Sequence, residues 1–324
     1  MLYLAQRLNT EQYEAATTTE GPLLVLAGAG SGKTRVLVYR IAHIVSEGKA
    51  APWQIFAVTF TNKAAKEMQT RLHDLLGEQI EAAWIGTFHS LCARMLRTEG
   101  RRLGFDPGFT IYDADDSKRL LKTIMEESGI DSSSHGTPVN AVSAEIDRAK
   151  NAGLTPAAFA ERPIKFETPS YRAARRIYPK YQRALSQANA MDFGDLLLWA
   201  LELLKHHPEA KRRFGHRFKY VLVDEFQDTN RVQYALLQQL VDEHNNLAVV
   251  GDDDQSIYRW RGADVSNILG FKRKYPDARV IKLEENYRSS GNILAAANSV
   301  IRQNTNRHDK TLRTEADAGD PMGS

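Results

Sequence analysis

The 324-residue sequence holds a single cysteine, Cys92. No disulfide can form within the chain, and the composition suits a reducing cytoplasm. Cys92 falls in a helical-looking run, 87–103, where a thiol reads as a small apolar packing residue rather than a reactive one. Long apolar runs are also lacking: none approaches the roughly 18 residues that span a bilayer. The longest, at 23–30 and 196–204, read as a strand and a helix face, and the first 12 residues have no secretory apolar core. No membrane partner is expected. Excess charge of one sign is scarce as well, with 43 Lys and Arg against 40 Asp and Glu. Any nucleic-acid face must therefore be local. What remains, 42% hydrophobic and 26% charged residues, is an ordinary globular composition, long enough for two or three units of roughly 100–200 residues.

Strand and helix alternate over roughly the first 100 residues, as a parallel sheet requires. LLVLA at 23–27 and IFAVTF at 55–60 read as strands, and 83–86 as a third; helices are expected at 33–45, 62–76 and through Cys92 and Met95. From Phe105 to Phe218 the pattern changes to helices, at 114–128, from Thr155 and Pro156 onward, at 171–189, and at 193–205 behind an Asp192 cap. The one strand candidate there is weak, at 109–112. Strands return with YVLVD at 220–224, LAVVG at 247–251 and RVIKL at 279–283. This predicts an α/β, parallel-sheet P-loop domain with a mainly helical subdomain inserted between its two sequence halves. Residues 132–138 read as a loop, and the tail 316–324 as mobile.

Ala27, Gly28, Ala29, Gly30, Ser31, Gly32, Lys33 and Thr34 follow the first strand and open a helix. At such a junction small residues let backbone N–H groups turn around phosphate, and the helix N-terminus adds favourable partial charge. Lys33 is placed to reach the β- and γ-phosphates, and Thr34 to hold Mg²⁺ through its hydroxyl. Ala27 stands where the strict motif has glycine. Past the strand at 220–224 come Asp224, suited to Mg²⁺, and Glu225, suited to deprotonating the attacking water. Gln255, past the strand at 247–251, is long enough to touch a γ-phosphate and so distinguish ATP from ADP. Tyr258, Arg259, Trp260 and Arg261 then interleave aromatic and basic groups, the composition that stacks bases and takes phosphates. Packing in a core is the alternative for Tyr258 and Trp260.

Seven blocks in this order resemble the N-terminal portion of UvrD/Rep/PcrA-like superfamily 1 DNA helicases: LNTEQ at 8–12, AGAGSGKT at 27–34, TFTNKAAKEM at 59–68, GTFHS at 86–90, VDEFQDT at 223–229, GDDDQSIYRWRGA at 251–263 and ENYRSS at 285–290. The resemblance implies a RecA-like domain 1A at 1–103 and 216–280, a helical insertion 1B at 104–215, and the start of a truncated second RecA-like domain 2A at 281–324. It makes Gln12 the reader of adenine, Arg35 and Tyr287 the plates that sandwich it, and Arg288 an arginine finger. Thr59, Phe60, Asn62, Thr87, His89, Tyr258, Trp260 and Arg261 match positions lining a single-stranded DNA track, with a capping or core role the alternative for His89.

Family members are roughly twice as long, so the chain is expected to be a monomeric fragment that binds ATP, Mg²⁺, single-stranded DNA and single-strand/duplex junctions. Alone it is not expected to unwind duplex DNA, and a mobile segment is expected after about Arg302. Two readings stay open: the ATP-hydrolysing half of a 3′→5′ DNA motor, or a nucleotide-sensitive DNA clamp with negligible turnover. Arg172, Arg175, Arg176, Lys180, Arg183, Lys211, Arg212 and Arg213 offer a face for duplex phosphates, a solvated helix surface being the alternative.

Overall fold

The computed structural model describes residues 4–132, 136–163, 167–305 and 307–320, with the backbone but not the side chain of Arg261. Positions 133–135 of the expected loop and 321–324 of the tail lie outside the described residues. The strands are β1 (Leu23–Ala27), β2 (Ile55–Thr59), β3 (Trp84–Thr87), β4 (Thr110–Tyr112), β5 (Ala190–Asp192), β6 (Tyr220–Val223), β7 (Leu247–Gly251) and β8 (Arg279–Leu283). The α-helices among the described residues are α1 (Thr10–Thr17), α2 (Lys33–Ser46), α3 (Asn62–Leu76), α4 (Phe88–Glu99), α5 (Ala114–Glu127), α6 (Val139–Asn151), α7 (Pro156–Glu161), α8 (Pro169–Gln187), α9 (Phe193–His206), α10 (Pro208–Arg217), α11 (Arg231–Val241), α12 (Ser266–Leu269), α13 (Phe271–Lys274) and α14 (Gly291–Ile301).

The chain forms a mixed α/β fold of two compact units. One comprises residues 4–87, 213–229 and 240–320, and the other 88–212 and 230–239, over the described residues. The first is built on a six-stranded sheet of order β3-β2-β6-β7-β1-β8. Every pairing in it is parallel. Such a sheet is covered on both faces, so its strands read as continuous apolar runs; β1, β2, β6 and β7 are buried at every position. Around them pack Val36, Leu37, Ile41 and Ile44 of α2 and Met68 and Leu72 of α3. The expected 280/281 division runs through β8, whose Ile281 and Leu283 pair with Val25 and Ala27 of β1.

The second unit is helical apart from a parallel pair, β4 with β5, in which Ile111 faces Met191. Its core brings together Leu121, Ile124 and Met125 of α5, Val142, Ile146 and Ala149 of α6, and Ala174, Ile177, Tyr178 and Tyr181 of α8. Cys92 in α4 is fully buried, and burial pushes its thiol above the ordinary range, as an inert packing role requires. Among the arginines and lysines of α8, Arg172, Arg176, Lys180 and Arg183 are exposed. Lys180 donates to Ser128 Oγ (2.8 Å), and Arg175 pairs with Glu167 (2.5 Å).

Lys150 lies on the buried stripe of α6 and is fully enclosed. Its ammonium sits 2.6 Å from Asp192 Oδ2 and 2.8 Å from Asp195 Oδ1. Asp192 caps α9 by accepting from Asp195 N (2.8 Å), while Asp195 Oδ2 accepts from Gln182 Nε2 (3.1 Å) and Tyr181 OH donates to Asp192 Oδ2 (3.0 Å). Two carboxylates and one ammonium share this interior. Burial, reinforced by the Asp192 charge, raises the Asp195 carboxyl to about 6.

No helix among the described residues is long and apolar enough to cross a membrane.

Candidate active site

The glycine-rich loop expected to hold phosphate occupies the turn from β1 into α2, at the strand ends where open parallel sheets gather ligands. Gly32 caps α2 in a left-handed conformation, φ 87°. Gly30 is also left-handed (φ 71°), and a Cβ there would stand 2.7 Å from Asn286 Nδ2 and from Arg288 Cβ. Glycine is thus required at Gly30 for backbone shape and for close approach alike. Leu312 packs on Gly28, its Cδ2 lying in the space a Cβ there would need. The first turn of α2 presents N–H groups that helix geometry leaves without intrahelical partners.

Lys33 Nζ lies 2.7 Å from Glu225 Oε2, and Thr34 Oγ1 donates to Asp224 Oδ2 at 3.2 Å. The chain thus joins the end of β1 to the end of β6, two blocks far apart in sequence. Asp224 is 5% exposed; burial raises its carboxyl to about 6, the Glu225 charge adds to the rise, and Lys33 opposes it. Glu225 itself is left-handed, φ 49° and ψ 46°. This region is sparsely populated by residues with a Cβ, and it persists where surrounding contacts impose it. One such contact comes from Gln227, whose Nε2 donates to Glu225 Oε2 (2.8 Å) while its Oε1 accepts from Asp252 N (2.9 Å). Gln255 donates through Nε2 to Asp252 Oδ2.

The adenine candidates converge on the same end of the sheet. Gln12 is buried; its Oε1 accepts from Asn9 N (3.3 Å) and its Nε2 donates to Ser31 O (2.9 Å). One N–H and one lone pair of the amide are left over for a base edge. Arg35 donates to Arg7 O, and its guanidinium lies 5.8 Å from the Tyr39 ring. Tyr287 is 58% exposed; its N donates to Gly30 O (3.0 Å) and its hydroxyl accepts from Asn9 Nδ2 (2.8 Å). Arg288 is exposed beside Gly30, its N donating to Asn286 Oδ1 (2.8 Å).

Of the expected DNA-track residues, Phe60, Tyr258 and Trp260 are brought together. The Phe60 and Tyr258 rings stack at 5.5 Å and 24°, and Tyr258 and Trp260 stand 6.3 Å apart. Trp260 is 73% exposed, which removes a core role for it, whereas Tyr258 is half-buried. Thr59 is buried, its hydroxyl donating to Thr61 O (3.1 Å), and Asn62 is exposed at the start of α3. Thr87 ends β3. His89 belongs to the other compact unit, half-buried with its ring edge-on to Phe193 at 5.7 Å, and burial lowers its pKa. The Arg261 side chain lies outside the description.

Several residues of this region carried no individual assignment in the sequence. Asn9 was signalled by its three-residue spacing from Gln12, a capping box. Gln227 and Asn286 lay inside recognised blocks. Lys310, Arg307 and Leu312 had no signal: they sit in a polar stretch with no periodicity. Through Asp320 described residues of that stretch are tied back by backbone hydrogen bonds. Gly291 N and Asn292 N donate to Asp317 O and Ala318 O (3.1 and 2.8 Å), and Arg313 N donates to Glu284 O (2.8 Å).

The donor set fits the expected ligands. The Thr34 hydroxyl and Asp224 carboxylate are hard oxygens, close enough together for a small divalent cation, and Lys33 at a helix start suits phosphate. The sequence model for the UvrD/REP helicase N-terminal domain matches residues 8–276. The chain is 46% identical over 319 residues to a protein of Staphylococcus epidermidis named ATP-dependent DNA helicase PcrA, and 45% identical over 319 residues to the protein of that name from Staphylococcus aureus. Each alignment covers 98% of this chain and 43% of the relative, so the chain spans less than half the length of the curated relatives it matches.

Proposed function

Since the chain belongs to the UvrD/REP helicase family, we propose that it is the ATP-hydrolysing part of an ATP-dependent DNA helicase that moves 3′→5′ on single-stranded DNA. The observation that carries this reading is the pairing of Lys33 with Glu225 and of Thr34 with Asp224, which brings together the residues that follow β1 and β6. Lys33 exchanges Glu225 for the β- and γ-phosphates of ATP. Thr34 and Asp224 would hold Mg²⁺, which supplies charge neutralisation on the phosphates. Released from Lys33, Glu225 is free to take a proton from the attacking water, and Gln255 and Arg288 face the γ-phosphate. Gln12 reads the adenine edge between Arg35 and Tyr287.

Bases stack along Phe60, Tyr258 and Trp260, with Thr59, Asn62, Thr87 and Arg261 of the same unit completing the proposed track, and His89 is a proposed DNA contact of the other unit. Single-strand/duplex junctions are the proposed substrate, a monomer the proposed state and the cytoplasm the proposed compartment. The test is ATP turnover by the chain with and without single-stranded DNA. Stimulation by DNA supports the motor reading; nucleotide and DNA binding without turnover supports a clamp instead.

Trp260→Ala is expected to weaken single-strand binding by about 1–3 kcal/mol with little dependence on base sequence. The salt slope should be unchanged, because no phosphate contact is lost. Anisotropy titrations at several salt concentrations read both quantities. An exposed ring contributes little to folding, so the variant should melt with the parent. A variant that melts far lower and binds DNA normally would reassign Trp260 to packing.

A further inference from the structure

We propose that Lys310 is a positioning residue for the nucleotide site, fixing Gln255 and Glu225 through the three consecutive aspartates Asp252, Asp253 and Asp254; the proposal rests on the nucleotide-site reading above. Carboxylate oxygens of these aspartates lie within 4.8 Å of one another. Unneutralised, such a run repels itself and opens. Lys310 closes it: its ammonium, on a side chain 3% exposed, stands 2.7 Å from Asp252 Oδ1, 2.8 Å from Asp253 Oδ1 and 2.6 Å from Asp254 Oδ2. A lysine has three N–H donors, and each has a carboxylate here.

Neighbours on the same segment complete the clamp. Arg307 grips Asp254 with two nitrogens, Nε to Oδ1 (2.9 Å) and Nη2 to Oδ2 (2.7 Å), and His308 N donates to Asp253 Oδ2 (2.5 Å). Burial works against charge on Asp253, but the bonds from His308 and Lys310 outweigh it and hold that carboxyl below its ordinary range. The ammonium already fills the space that the three carboxylates would otherwise offer a metal ion.

The consequence lies one bond away. With Oδ1 on Lys310, Asp252 turns Oδ2 to the Gln255 amide. Asp252 N donates to Gln227 Oε1, and Gln227 Nε2 donates to Glu225 Oε2, the same oxygen that meets Lys33. A continuous polar chain therefore links Lys310 to both the γ-phosphate sensor and the general base. Lys310 touches neither reacting atom; it acts by holding the groups that do.

The test uses the 324-residue chain with Lys310→Met, Lys310→Arg and a charge-balanced triple variant, Lys310→Met with Asp253→Asn and Asp254→Asn. The triple variant keeps the fold if the single one does not. Calorimetry with Mg-ADP and with a non-hydrolysable Mg-ATP analogue reads discrimination between nucleotides, and turnover reads kcat and KM separately. Loss of one aligned hydrogen bond predicts that preference for the triphosphate falls by about tenfold, with ADP affinity within about threefold of the parent. Where turnover is measurable, kcat falls by about tenfold or more, KM for ATP rises with the lost triphosphate affinity, and Lys310→Arg restores part of both. A folded Lys310→Met or triple variant that keeps both discrimination and kcat overturns the proposal alone. An unmodified chain that binds neither nucleotide overturns the nucleotide-site reading and this proposal with it.

Discussion

Glu225→Gln is expected to slow ATP hydrolysis by roughly 10²–10⁴-fold, the range of a positioned general base, while keeping ATP bound. The structure adds a sign to the binding. Lys33 is held by Glu225 at 2.7 Å, so phosphate must compete with that carboxylate for the ammonium. An uncharged amide competes less, and ATP affinity should rise. Gln227 Nε2 can still donate to the new amide oxygen, so the left-handed turn at 225 has support. Lys33→Ala should do the reverse, removing most ATP affinity from a folded protein. Labelled-ATP binding beside single-turnover hydrolysis separates the two. Hydrolysis at the parental rate by Glu225→Gln would take Glu225 out of the reaction, and unchanged ATP affinity in Lys33→Ala would end the P-loop assignment.

Lys150→Met should destabilise the helical unit by about 3–5 kcal/mol, the cost of leaving buried charge without its partner. Asp192 and Asp195 would then face each other with no cation, in a space where Asp195 is fully enclosed. Removing one carboxylate together with the lysine is a different matter. Lys150→Met combined with Asp195→Asn leaves one carboxylate, still bonded to Tyr181 and to the α9 backbone, and should recover much of the loss. Hydrogen exchange in α6, α8 and α9 would localise the effect. Full protection of these helices in Lys150→Met would mean that the pair contributes nothing to stability.

How far the sequence announced these sites depended on whether the signal was local. The strand–glycine–lysine junction at 23–34 and the acidic pair after YVLV are contiguous patterns, and both stand where they were expected. So do α5, α8 and α9, whose apolar spacing and caps are internal to each helix. The α6 helix was missed because Lys150 occupies a position on its buried stripe, and a charged residue there interrupts the apolar period. The strand order was not legible at all, since β1 finds its neighbours β7 and β8 by tertiary packing. Lys310 was hidden for the same reason: what gives it a role is a cluster of carboxylates more than fifty residues earlier.

The sheet order also sets a timetable for synthesis. Leu23 of β1 pairs with Ala248 on one side and Arg279 on the other. At roughly 5–20 residues per second, β1 leaves the ribosome roughly 10–50 s before its second neighbour. Until β7 emerges, five consecutive apolar residues have no native edge to pair with. The helical unit needs only residues up to Gln239 and can consolidate while β1 waits. The nascent chain is therefore most exposed to strand mispairing just before β7 and β8 appear. A slow step upstream of Leu247 would lengthen that exposure, and one downstream of Leu283 would not.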